Sequence, residues 1–321
     1  MGSLKLETAT IELISKCNFD CKHCYLDEKN SLSLSFTEWI KVIDILHEAG
    51  IKSIVLTGGE PLLHPNFKEI YLYIWNLGLD IMLFTNGSMI NDTLIKFFSK
   101  NTPKSISISI YGHNQEQYDF FTGLRSAVFE KIMINIKKLK NEDINVFLGI
   151  TPYRYSIDIS WFDFIKDNAI EINTYMIPSL SKQSNLKYRL TPNEIVKIET
   201  MVQRQIKITE VPITKNNPDY YRKCGGGITS IFVDPSGFTS MCALNRKSQF
   251  NILVDHFESI KLGVEYENQL IKEKYFKGLC GSCKHNAGCR NCPMYSELEG
   301  RIDGGNPYLC SLLLERKRAC K

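Results

Sequence analysis

The sequence predicts an α/β protein: a partial (β/α)6 barrel of the TIM-like type, followed by a smaller cysteine-rich domain that contains a β-hairpin. Three observations predict it. Strand-like and helix-like stretches alternate six times through the first half of the chain. Loops bearing Cys, Gly, Asn or Tyr follow the first four strand candidates in succession. The 11 cysteines gather toward the two ends of the chain, with a second dense run near the C-terminus.

The strand candidates are Thr8–Ile14, Ser53–Thr57, Ile81–Thr85, Ser105–Tyr111, Asn145–Thr151 and Ile170–Ile177. Most are rich in Ile, Val and Leu, as parallel strands covered on both faces should be. Amphipathic stretches lie between them at Thr37–Ala49, Asn66–Leu77, Ile90–Lys100, Ser126–Lys140 and Ile157–Asn168. Strand–helix–strand units imply right-handed crossovers and a parallel sheet. Six units are two short of a full barrel, which leaves one side open to a bulky substrate. Reactive groups in such sheets belong at the C-terminal strand ends. The loop from Cys17 follows the first strand, Gly58-Gly59-Glu60-Pro61 the second, Asn86-Gly87 the third and Tyr111-Gly112 the fourth.

The barrel is expected over residues 1–180 and a connector over 181–222. Thr191-Pro192 with Glu194 forms a capping box that opens a helix to about Lys207. From residue 223 to 321 glycine clusters and cysteines mark a second domain. There Thr229–Val233 and Phe238–Met241 flank Asp234-Pro235-Ser236-Gly237, a hairpin signal.

Composition bounds the function. The 321 residues are 43% hydrophobic, with 39 Lys+Arg against 35 Asp+Glu, a formal charge of +4. That balance gives no nucleic-acid footprint, and Glu315-Arg316-Lys317-Arg318 reads as a solvated helix end. No run of 18 apolar residues and no signal-peptide pattern exist, so the expectation is a cytoplasmic chain that does not span a membrane. Cysteines in that compartment are metal ligands or redox groups more often than disulfides.

Cys17, Cys21 and Cys24 stand as Cys-x3-Cys-x2-Cys. Three thiolates suit a four-iron cluster whose fourth iron stays open to a chelating small molecule. A zinc site completed by His23 is the alternative. Gly58 and Gly59 let the backbone approach a ligand closely, and Glu60 sets a carboxylate on the same rim, where it would receive an amine. His64, His113 and Tyr111 read as structural.

Cys17-Asn18-Phe19-Asp20-Cys21-Lys22-His23-Cys24, followed by Leu56-Thr57-Gly58-Gly59-Glu60-Pro61-Leu62, resembles the radical S-adenosylmethionine (radical SAM) superfamily over residues 7 to about 180. The resemblance implies a [4Fe-4S] cluster on Cys17, Cys21 and Cys24, with SAM chelated at the open iron. Reductive cleavage of SAM then yields a 5′-deoxyadenosyl radical that removes a substrate hydrogen. It also implies Glu60 at the SAM amine, Tyr25 and the His23 backbone near the adenine, and Asn86 and Ser109 near the ribose or methionine.

The run Cys280-x2-Cys283-x5-Cys289-x2-Cys292-Pro293 is spaced more tightly than zinc ribbons normally are and suits iron–sulfur ligation, with zinc the alternative. With Cys224, Gly237-x4-Cys242 and Cys310, it resembles the SPASM domain of radical SAM maturases, although its last pair is spaced by two residues rather than the usual three. The resemblance implies one auxiliary cluster on Cys280, Cys283, Cys289 and Cys310, and a second on Cys224, Cys242 and Cys292. The fourth position of the second is open between Asp219, Cys320 and a vacant site.

The expected activity is therefore hydrogen abstraction from a ribosomally made precursor peptide, giving a thioether, a carbon–carbon bond or an inverted centre. About ten residues precede the first strand, too few for a leader-binding domain, so a separate leader-binding protein is an expected partner beside a flavodoxin- or ferredoxin-type reductant. Oxidation of a sulfatase residue, action on a tetrapyrrole or small metabolite, and non-catalytic electron carriage are the alternatives.

Overall fold

The computed structural model describes residues 5–124, 127–154, 159–168, 170–172, 176–180, 184–205, 224–247, 249–280, 283, 292–301 and 305–319. In chain order the elements are β1 (Thr8–Glu12), α1 (Phe36–Glu48), β2 (Ser53–Thr57), α2 (Phe67–Asn76), β3 (Asp80–Thr85), α3 (Asp92–Lys100), β4 (Ser105–Ser109), α4 (Gln115–Thr122), α5 (Val128–Asn141), β5 (Val146–Ile150), α6 (Ile159–Asn168), β6 (Ile170–Ile172), α7 (Pro192–Gln205), β7 (Ser230–Val233), β8 (Thr239–Ser240), α8 (Phe257–Lys277), α9 (Pro293–Leu298) and α10 (Pro307–Ala319). They fall into two units. One comprises residues 1–21, 28–150 and 226–266; the other comprises 22–27, 151–225 and 267–321.

In the first unit the strand order is β5-β4-β3-β2-β1-β7-β8. Every pair from β5 to β7 is parallel, with Glu12 opposite Thr57 and Ile11 opposite Val233. One face of this sheet is apolar and closed. Ala9, Ile11, Ile54, Leu56, Ile81, Leu83, Ile106, Ile108, Leu148 and Ile150 are all buried. Helix α1 contributes Trp39, Val42, Ile43 and Leu46 at helical spacing, and the Ser35–Glu38 capping box starts it. The opposite face is more open: Phe84 is 48% and Phe147 45% exposed. The expectation of strands covered on both faces therefore holds for β2, buried from Ser53 to Leu56, and not for β3 or β5. β4, Ser-Ile-Ser-Ile-Ser, shows the reason, since its serines alternate with buried isoleucines as in a half-solvated strand.

Strand ends also differ from expectation. β1 stops at Glu12 and β4 at Ser109. Helix α4 was not expected. Its eight residues are mostly polar, but Asn114 caps its start by accepting from the Gln117 N–H, and Gly123 ends it in a left-handed conformation at φ +73°. The largest difference concerns the hairpin. Its turn forms as read, with Asp234 Oδ1 accepting from the N–H groups of Ser236 and Phe238 and Gly237 at φ +84°. Yet β7 pairs with β1, so residues 226–266 belong to the sheet unit rather than to a separate domain starting at 223. A β1 edge left bare would expose unpaired amides, and Ile231 and Val233 supply buried residues alongside it.

In the second unit α7 opens at the expected capping box: the Thr191 N–H and hydroxyl both donate to Glu194, whose own N–H donates back to Thr191 Oγ1. Arg189 pairs with Glu299 at 2.6 Å, and the Tyr308 hydroxyl donates to the Leu190 carbonyl. Arg316 is no free helix end, for its guanidinium grips both oxygens of Glu199, at 2.9 and 2.6 Å. Among the described residues no helix is long and apolar enough to cross a membrane.

Candidate active site

Beyond β1 the chain runs through Leu13–Lys16 into Cys17, and the loop after β2 is docked against this stretch. The Gly59 N–H donates to the Ile14 carbonyl and the Glu60 N–H to the Lys16 carbonyl, both at 2.8 Å. A Cβ on Gly58 would lie 2.6 Å from the Ile14 carbonyl oxygen, and one on Gly59 only 2.4 Å from those of Ser15 and Lys16. The paired glycines thus allow a close approach to the backbone that leads into the cysteine loop, a different partner from the ligand expected.

Glu60 is fully buried. Its Oε1 accepts from Thr85 Oγ1 at 2.7 Å and from the Leu62 N–H at 3.1 Å, and its Oε2 accepts from the Asn86 N–H at 2.8 Å. The carboxylate therefore ties the ends of β2 and β3. Three donors favour the charged form, but burial outweighs them and the pKa is pushed up to about 7.

The Cys17 sulfur is surrounded by donors: the Phe19 N–H reaches it at 3.4 Å and the Asn86 side-chain amide at 3.9 Å. That amide also donates to Asn18 Oδ1, while Asn86 Oδ1 accepts from Ser88 N–H and Oγ. Such donors lower the energy of a thiolate and are what a metal-bound sulfur needs. Asn86, expected at the ribose or methionine, reaches the Cys17 sulfur. Phe19 is buried and anchors the loop through edge-on contacts with Tyr111 and Tyr118, at 6.2 and 6.0 Å between centroids. The Asp20 N–H donates to the Thr122 carbonyl, which joins the loop to the end of α4. Ser109 is hydrogen-bonded to the Tyr111 phenol, whose pKa burial holds well above its ordinary value, with the Cys21 charge next in weight.

His23, Cys24 and Tyr25 belong to the second unit. There the Asn185 amide donates to the His23 carbonyl at 3.3 Å, Ser179 Oγ to the Cys24 carbonyl at 3.5 Å, and the Leu180 N–H to the Tyr25 carbonyl at 2.7 Å. Asn185 also donates to the Ile177 carbonyl. Sequence reasoning missed Asn185 and Ser179, because nothing in the local pattern marks a buried amide that holds a distant loop. His64 is buried, its Nδ1 accepting from the Asn66 N–H, as a structural residue would be.

The described cysteines form no disulfide with one another. In the second unit Cys280 is buried against Tyr275 and Ile271, and the Cys283 N–H donates to its carbonyl at 3.3 Å. Burial raises the Cys310 thiol pKa, and the charge of Cys283 is the next cause. Cys224 and Cys292 lie in the same unit. Cys242 belongs to the first, just beyond β8, where its carbonyl accepts from Ser240 Oγ and the Asn245 N–H. Cys289, Asp219 and Cys320 lie outside the described residues. Among the described residues no group of three His, Cys, Asp or Glu is gathered around a single point.

A parallel α/β sheet whose first strand leads into Cys-x3-Cys-x2-Cys, backed by Gly-Gly-Glu from the second, carries the residues on which the radical SAM resemblance rests. The family model of the Radical SAM superfamily matches residues 11–165, which form a radical SAM domain. It is 27% identical to the antilisterial bacteriocin subtilosin biosynthesis protein AlbA of Bacillus subtilis (strain 168); the match covers 86% of this chain and 66% of AlbA, somewhat under two thirds of that longer protein. It is 26% identical to an AdoMet-dependent heme synthase of Oleidesulfovibrio alaskensis, over 91% of this chain and 83% of that one. Among solved structures, SuiB of Streptococcus suis bound to S-adenosylmethionine superposes with a TM-score of 0.73 at 15% identity, covering 95% of this chain and 77% of SuiB, a likeness of fold.

Proposed function

We propose that the chain modifies a ribosomally made precursor peptide by radical SAM chemistry, forming a thioether or carbon–carbon crosslink or inverting a stereocentre. The likeness to AlbA, a bacteriocin biosynthesis protein, over most of this chain is the observation that carries the reading. The fold shared with SuiB, which has also been solved bound to its precursor peptide SuiA, supports it.

In this reading Cys17, Cys21 and Cys24 hold a [4Fe-4S] cluster that, with SAM, supplies a hydrogen-abstracting 5′-deoxyadenosyl radical. The donors at Cys17 fit a thiolate ligand. The chain's own part is positioning. Glu60 fixes the SAM amine through Oε2, the oxygen with a single donor. His23, Tyr25 and Ser109 border the nucleoside, and Asn86 orients the Cys17 sulfur. Gly58 and Gly59 keep the two loops at contact distance. Two auxiliary iron–sulfur clusters, on Cys280, Cys283, Cys289 and Cys310 and on Cys224, Cys242 and Cys292, take up electrons from the substrate. The cytoplasmic location, the separate leader-binding protein and the flavodoxin- or ferredoxin-type reductant complete the proposal.

Anaerobically reconstituted protein given dithionite and SAM must release 5′-deoxyadenosine, and Cys17→Ala must abolish it. Three clusters require about twelve irons per chain. A second reading rests on the heme synthase relative: turnover of a tetrapyrrole, and none of a short peptide encoded beside this chain, would replace the peptide reading.

A further inference from the structure

One buried phenol has no visible work. Tyr118, on α4, is fully buried, and its ring is locked by Phe19, Tyr111 and Phe129 at centroid distances of 6.0, 5.5 and 5.5 Å. Its hydroxyl is shielded from solvent and has no hydrogen-bond partner among the described residues. Leaving such a group unpaired costs stability, so an acceptor is expected where it points. The neighbouring phenol gives the contrast, since the Tyr111 hydroxyl is already bonded to Ser109. Glu60 is engaged with Thr85, Asn86 and Leu62 instead. Around Tyr118 the chain is that of the cysteine loop: Phe19 lies against its ring, Asp20 bonds the Thr122 carbonyl, and Gly123 abuts Asp20. Burial raises the Tyr118 pKa well above its ordinary value, and the charge of Cys21 is the next cause. A neutral phenol hydroxyl is a hydrogen-bond donor.

We propose that the Tyr118 hydroxyl donates a hydrogen bond to a sulfur of the iron–sulfur centre on the cysteine loop, on its Cys21 side, and so raises that centre's reduction potential. This rests on the proposed cluster at Cys17, Cys21 and Cys24. A donor to a cluster sulfur stabilises the more negative, reduced state. Tyr118 thereby acts as a positioning and tuning residue that makes the centre easier to reduce, and it touches neither SAM nor the substrate.

The test compares reconstituted wild-type protein with Tyr118→Phe and Tyr111→Phe in an anaerobic redox titration followed by electron paramagnetic resonance. The front centre is recognised by the response of its signal to SAM. Tyr118→Phe, which keeps the ring, should shift the midpoint to a more negative potential by roughly 59 mV, a tenfold change in a one-electron equilibrium. Tyr111→Phe should leave it in place. An unchanged midpoint in Tyr118→Phe, with the SAM response intact, overturns the proposal alone. A wild-type protein without any SAM response overturns the reading of the front site, and the proposal falls with it. Should Tyr118→Phe fold but take up no iron, 3-fluorotyrosine incorporation decides: stronger phenol donors must move the wild-type midpoint upward, and no movement overturns the proposal.

Discussion

Glu60→Gln is the substitution that reads the electrostatics of the site most directly. Burial lifts the Glu60 pKa from the ordinary 4.5 to about 7. Below pH 4.5 the carboxyl is protonated in both folded and unfolded chains and contributes no pH dependence. Between 4.5 and 7 the unfolded chain ionises first, so the folded state binds more protons and stability falls as the pH rises. At 1.36 kcal/mol per unit, the loss amounts to about 3 kcal/mol above pH 7. Gln is neutral throughout and resembles the protonated acid, so the variant lacks this dependence. Urea unfolding of cluster-free protein at pH 5, 6, 7 and 8 measures it. The stability of Glu60→Gln minus that of wild type should grow by about 3 kcal/mol across the range. Other carboxylates, including buried Glu12, act alike in both proteins and cancel. A difference that stays flat would show that the bonds from Thr85, Asn86 and Leu62 outweigh burial and that Glu60 is ionised throughout.

Gly59→Ala should cost about 3 kcal/mol or more, because its Cβ would meet two backbone carbonyl oxygens that no side-chain rotation can clear. Iron uptake by the variant, followed by absorbance, should fall with its stability. Arg246→Ala strips the partner from Oε2 of Glu12, which is buried and whose Oε1 has no hydrogen-bond partner among the described residues, so a loss of about 3–5 kcal/mol at neutral pH is expected. Burial holds the Glu12 pKa up, and acid should recover much of that loss as the carboxyl protonates; a thermal melt at pH 5 against pH 7 checks it. Ser35→Ala removes the capping box of α1 and should lower stability by about 1 kcal/mol without changing SAM cleavage.

How far the sequence reached depended on whether a feature is local. β2 is an apolar run closed by two glycines, and its limits came out as read, Ser53 to Thr57. The start of α7 was legible because Thr191 and Glu194 satisfy each other's backbone within one turn. Strand-end placement put Cys17, Glu60 and Asn86 on one rim, and the bonds among their loops agree. Helix α4 escaped because eight mostly polar residues carry little periodicity, though Asn114 and Gly123 marked its ends. The hairpin turn was readable while its partner was not: no pattern near residue 230 announces pairing with a strand at residue 8. The amides on the Cys17 sulfur and the Asn185 hold on the loop backbone were invisible for the same reason.

The pairing of β7 with β1 constrains how this protein can be cut or shuffled. Clipping the chain at its compositional boundary near residue 222 would strip away the ribbon that covers the first strand and bare a row of amide and carbonyl groups ready to zip onto another copy. A catalytic fragment made that way is expected to precipitate. The later residues are thus a clasp for the earlier ones, and a graft that exchanges one for another must carry β7 and β8 along with the sheet.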